Sequence, residues 1–132
     1  MYTGNYTLTN FVAIGAGAAL GAWARWGLSI WLNPGPDRFP IGTWAANLGG
    51  SFLIGLALAY SLAAPDWSTP VRLFVITGLL GALTTYSTFS AETVTFFAQG
   101  RIGLALIYAI VTLVGCLSMT ALGWFTLSSL RG

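Results

Sequence analysis

Few side chains in this sequence can do chemistry, and most of them interrupt apolar stretches where a lipid-facing helix would carry leucine or valine. Asn47 stands one turn after Thr43, and its amide offers two donors and an acceptor without titrating at ordinary pH. Such a group either hydrogen-bonds an anion or holds a neighbouring helix. Arg25 lies well inside the first apolar run, where a central guanidinium costs about 2.5–3.5 kcal/mol on insertion scales. It is either a structural arginine bonding loop carbonyls at the membrane edge or a positive vestibule charge that attracts anions. Glu92 is a lone acid in the last third of the third run. It reads as a proton or cation site, or as a lip residue hydrogen-bonded to hydroxyls.

Two further patterns place weakly polar groups together. The fourth run carries Tyr108, Thr112, Cys116 and Thr120 at successive i, i+4 positions, which puts one polar stripe on a single helix face. These groups either pass a small solute from donor to donor or bond to carbonyls of the preceding turn. Residues 78–90 combine two glycines with Thr84, Thr85, Ser87, Thr88 and Ser90. That composition predicts a broken helix, which a membrane tolerates only where protein or a watery path replaces the lost backbone bonds. Tyr86 and Phe89 sit in this break, where they either pack in the core or turn their positive ring edges toward an anion.

The elements that position these residues follow from composition. Of 132 residues, 56% are hydrophobic and only 6% charged, against about 25% charged in soluble domains. A water-soluble globular surface cannot be built from that, and the chain reads as an all-α integral membrane protein. Four apolar runs, at residues 9–32, 41–64, 71–99 and 102–130, nearly exhaust the length, each exceeding the roughly 20 residues that cross about 30 Å. They form one transmembrane domain over residues 1–132. The breakers are the Pro34-Gly35-Pro36 to Pro40 cluster, the Pro65 to Pro70 segment and the Gln99-Gly100-Arg101 link. Residues 1–10 carry no positive side chain, and the run after them continues past a signal-peptide core, so it reads as a retained first helix.

Composition also excludes functions. The sequence has no histidine, which removes a hydrolase triad and a histidine metal site. Asp37 and Asp66 fall in proline-rich loops and no nucleophile has a base beside it, so no enzyme is expected. A lone Cys116 allows neither a disulfide framework nor a thiolate cluster. Five scattered arginines make no phosphate-binding patch, so no nucleic-acid partner is expected. The glycines of residues 15–21 are misplaced for a dinucleotide fingerprint.

Orientation follows from the basic residues outside the spans. One side of the membrane would hold Arg72 and Arg131 and the other Arg38 and Arg101. This balance permits insertion both ways and an antiparallel pair. Four short helices also enclose little interior, which favours homo-oligomerisation. The small-xxx-small pairs Gly17/Gly21 and Ser51/Gly55 suit close packing, between subunits or within one.

The segments Gly17-Ala18-Ala19-Leu20-Gly21-Ala22-Trp23-Ala24-Arg25-Trp26, Gly42-Thr43-Trp44-Ala45-Ala46-Asn47-Leu48-Gly49-Gly50-Ser51-Phe52-Leu53-Ile54-Gly55 and residues 78–89 together resemble the signature blocks of the Fluc (CrcB) fluoride channel family. The resemblance implies a dual-topology homodimer of four-helix subunits, with two antiparallel pores that passively export fluoride across the bacterial cytoplasmic membrane. It implies that Tyr86 and Phe89 coordinate fluoride by their ring edges, that Asn47 donates from its amide, and that Ser87 and Thr88 belong to a hydroxyl track. Tyr108, Thr112 and Cys116 match a tyrosine followed by two polar, usually serine, positions. Gly81 and Thr84 would offer backbone carbonyls to a sodium ion at the dimer centre, Arg25 would be the vestibule arginine, and Glu92 the acid near a pore mouth. Three departures stand out: Tyr86 replaces a phenylalanine, Thr112 adds a methyl, and Cys116 puts a weak donor where the family has a strong one. A small dual-topology proton-coupled multidrug exporter is the alternative, but it needs a glutamate in the first span, which here has Arg25 and no acid.

Overall fold

Helices begin and end where the sequence supplies caps and breakers. The computed structural model describes residues 5–64 and 66–131; the readings that fall on residues 1–4, Pro65 and Gly132 lie outside them. Helix α1 (Leu8–Leu32) starts at Thr7, whose hydroxyl accepts from the Asn10 amide, and stops at Asn33 before Pro34. The Asn33 side chain then accepts the Gly42 N–H at 2.6 Å, which anchors the start of α2 (Ile41–Ala63). The third span is interrupted. It runs through α3 (Thr69–Arg72), a π-helical stretch (Leu73–Leu80), α4 (Gly81–Leu83) and, after a break at Thr84 and Thr85, α5 (Tyr86–Ala98). Both break residues are extended, with ψ of 151° and 116°. Gly100, at φ +72°, makes the left-handed turn into α6 (Ile102–Arg131), a conformation that glycine adopts without a Cβ penalty.

Four helical segments are long and apolar enough to span a membrane. Their exposed faces carry large apolar side chains such as Phe11, Trp23, Ile30, Leu62, Ile110 and Leu117, as lipid contact demands. The architecture is therefore the expected all-α membrane fold with a broken third helix.

The helices pair as α1 against the π-helical stretch and α2 against α6, and glycines set both contacts. A Cβ on Gly17 would strike the Phe74 carbonyl and the Leu79 amide, and one on Gly21 the Leu79 carbonyl and the Leu83 amide. Gly55 lies in the same way against Thr120 and Trp124, and Gly123 against Phe52 and Leu56. Gly17, Gly21 and Gly55 thus serve packing within one subunit. The π turn was not foreseen from sequence. Its trace is visible in these contacts, since Gly17 spans a pair five residues apart whereas the other three span pairs four apart.

Gly21→Val is expected to force α1 off the third span, at a cost of at least about 1–3 kcal/mol for overpacking. Gly27→Ala meets open space and should be silent. The monodisperse fraction on gel filtration in detergent checks both; equal yields would refute the packing argument.

Candidate functional site

The break in the third span leaves backbone groups at membrane depth, and two side chains from other helices take them. In a continuous helix the Thr85 N–H would go to the Gly81 carbonyl; here it goes to the Asn47 Oδ1 at 2.7 Å. The same amide returns a bond, with Nδ2 donating to the Thr85 carbonyl at 3.1 Å. Asn47 is buried on α2 and matches both backbone groups of one extended residue, as only a side chain with donor and acceptor can. Arg25 reaches from α1 to donate from Nε to the Ala82 carbonyl at 3.0 Å. The arginine therefore bonds a carbonyl of the broken helix itself, not one in a loop. Gly17, Gly21 and Arg25, spaced four apart, form one continuous face of α1 along the third span.

One turn before Asn47, Thr43 points at a second centre. Its hydroxyl donates to Glu92 Oε1 at 2.9 Å, and the Tyr108 hydroxyl donates to Oε2 at 2.6 Å. Thr43 and Tyr108 are almost fully buried, so three helices meet at this carboxylate. Both oxygens of Glu92 are thus hydrogen-bonded to hydroxyls. Around it the rings form a chain. Tyr86 lies 5.6 Å from Phe89 and Phe89 lies 5.2 Å from Tyr108, ring centre to ring centre, the latter pair edge-on. Phe39 and Phe96 also meet the Tyr108 ring edge-on.

A groove of ≈ 560 Å³ opens beside the break, between α2, α5 and α6. It brings together Asn47, Thr84, Tyr86, Phe89, Thr112 and Cys116. Ser87 is exposed outside it, and Thr88 is held by Thr85, which donates to its hydroxyl at 3.0 Å. Tyr108 is also outside the groove, its hydroxyl spent on Glu92. A second cavity of ≈ 430 Å³ lies on the far side of Glu92, lined by Arg38, Asn33, Thr95 and loop backbone. Phe89, which lines the first cavity, and Glu92, which lines the second, both contact Tyr108. Thr112 Oγ1 is buried without a partner, an uncommon state for a hydroxyl inside a protein.

The family model described as CrcB-like protein, Camphor Resistance (CrcB), matches residues 12–124. The chain belongs to the CrcB family. A CrcB relative from Thiobacillus denitrificans, named fluoride-specific ion channel FluC, is 49% identical over 94% of this chain and 100% of its own length. A protein of the same name from Bordetella petrii is 52% identical over 92% of this chain and 94% of its own. Another, from Chromohalobacter salexigens, is 51% identical over 92% of each.

In this CrcB chain, sequence reasoning missed Thr85, the residue on which the break is hinged, and gave Thr43 no role. It also left out Ser51, Ser90 and Thr93, which line the groove. A signal was there. Thr43, Asn47 and Ser51 follow one another at i, i+4 along α2, as the polar residues do along α6, and the two stripes face each other.

Asn47→Ala removes both partners of Thr85 and is expected to destabilise the purified protein by about 1–3 kcal/mol, the cost of unsatisfied buried polar groups. Thermal unfolding in detergent checks this; an unchanged midpoint would mean that water or another side chain holds the break.

Proposed function

We propose that this protein is a fluoride-selective channel that exports cytoplasmic fluoride passively, as a dual-topology homodimer with two antiparallel pores. The observation that carries the reading is the groove beside the break, which holds neutral donors and ring edges in a chain about half identical to proteins named as fluoride channels. A small anion loses its hydration shell only where other donors replace it, and weak neutral donors let it leave again. Asn47 keeps one N–H beyond its bonds to Thr85, Thr112 keeps its hydroxyl, and Tyr86 and Phe89 supply ring edges. Cys116 and the hydroxyls of Ser87 and Thr88 complete the proposed path, with Tyr108 and Glu92 at one mouth. Arg25 stands in the vestibule role, its charge shared with the Ala82 carbonyl.

Pairing is supported by what one subunit leaves uncovered. Gly81, Tyr86 and Ser87 are exposed at membrane depth, Tyr86 at 79%, and lipid satisfies neither hydroxyls nor free carbonyls. A second copy would cover them, and the arginine balance allows it to be antiparallel. Among the described residues no cluster of three acidic, cysteine or histidine side chains could hold a metal. Backbone oxygen is a suitable donor for a hard cation. The Gly81 carbonyl is released when Thr85 turns to Asn47, so Gly81 and Thr84 from both subunits would hold the central sodium ion. The bacterial relatives support placement in a cytoplasmic membrane. The exporter alternative lacks its acid, since α1 has none. Transport rather than covalent chemistry follows.

Liposomes reconstituted with the protein and made permeable to potassium should release fluoride rapidly and chloride hardly at all, read by ion-selective electrodes. Phe89→Ile and Asn47→Asp should each suppress fluoride release, the first by removing a ring edge and the second by placing a carboxylate on the path. Fluoride retention by the wild type, or normal flux in both variants, would overturn the proposal.

A further inference from the structure

Sorting the groove's polar groups by whether they are already spent leaves few hydroxyls over: Ser90 and Tyr86 on α5, and Thr112 and Ser51 facing them. Thr84 donates to the Leu80 carbonyl at 2.9 Å, Thr93 to the Phe89 carbonyl at 2.8 Å and Thr85 to Thr88. These threonines keep no hydroxyl hydrogen for a solute. On the opposite wall, formed by α2 and α6, Ser51 lines the groove and its hydroxyl takes part in no hydrogen bond among the described residues. Thr112 on the same wall has its buried oxygen unpartnered as well.

The level of Ser51 along the membrane follows from how α2 and α6 pack. They run in the same direction, with Thr43 and Tyr108 joined through Glu92 at one end. Leu48 then lies against Gly115, and Gly55 against the Thr120 carbonyl. Ser51 falls between these contacts, within about one turn of Cys116, and both line the groove. A thiol is a weak donor and a hydroxyl a strong one, so at this height the α6 stripe has lost strength and α2 carries a hydroxyl.

Resting on the channel reading, we propose that Ser51 is an anion-contacting residue of this pore, donating its hydroxyl to fluoride at the level where Cys116 donates poorly. The path thus stays on the α2 and α6 wall, running from Asn47 and Thr112 to Ser51. The hydroxyl stays neutral and binds without trapping.

The test is fluoride efflux from liposomes with Ser51 replaced. Ser51→Val is expected to lower the rate about fivefold, the worth of one hydrogen bond, while Ser51→Thr, isosteric with the valine variant but keeping the hydroxyl, holds the rate near that of the wild type. Adding Cys116→Ser to Ser51→Val should recover most of the loss, because a strong donor returns to the same level. Equal rates for the valine and threonine variants, or a loss that Cys116→Ser does not repair, would overturn the inference. Since threonine and valine share one shape, a packing defect would slow both and count against it. A wild type that releases no fluoride would sink the channel reading itself, whereas a conducting wild type with an indifferent Ser51 sinks only this assignment.

Discussion

Everything in this molecule that is neither lipid-facing nor glycine-packed answers to one constraint: a backbone group opened inside a membrane must find a partner in the protein. Two residues, Thr84 and Thr85, leave helical geometry in the third span. Water cannot reach such groups across lipid, and each costs several kcal/mol when unsatisfied. Asn47 and Arg25 are the replacement partners. Their positions on α2 and α1 then require both helices to approach the break closely, and the rest of the packing follows from that requirement.

Close approach explains the glycines. A guanidinium that reaches Ala82 from α1 needs α1 against the third span along its length, and Gly17 and Gly21 allow backbone to meet backbone there. The π turn adds one residue to the third span within this contact, so that both Phe74 and Leu79 face the same side of α1. In an α-helix, residues five apart point about 140° away from each other. The glycine face can therefore run on unbroken to Arg25 only because the third span is wound more widely before it breaks.

The sequence was informative in proportion to how local each feature is. Apolar runs and prolines located the helices, and the hydroxyl-rich stretch after Gly78 located the break, because those signals are carried by neighbours in the chain. The role of Asn47 was open in sequence between binding an anion and holding a helix. The structure uses its acceptor and one donor for holding and leaves one donor over. That outcome depends on the 38-residue separation between Asn47 and Thr85, which no local pattern encodes. The π turn was illegible for a different reason: Leu73–Leu80 has an ordinary apolar composition, and the glycines that pack against its widened turn belong to another helix. Glu92 was visible as an anomaly, but the hydroxyls that receive it come from two other spans.

These assignments divide the polar residues into those that hold the scaffold and those left over. A group fully spent on backbone, such as Thr93 or Thr84, stiffens the span and contributes nothing to a passing ion. A group left unspent inside a protein is a cost that folding alone does not explain. Thr112 is of the second kind, and it shares the α2 and α6 wall of one groove with one unused N–H of Asn47 and the half-buried Ser51 hydroxyl. The carboxylate of Glu92 is tied to two hydroxyls and the guanidinium of Arg25 to the Ala82 carbonyl through Nε, and neither side chain lines that groove. What remains available in the groove is neutral, directional and weak. Such a lining suits conduction, because an ion held by full charges would bind and stay.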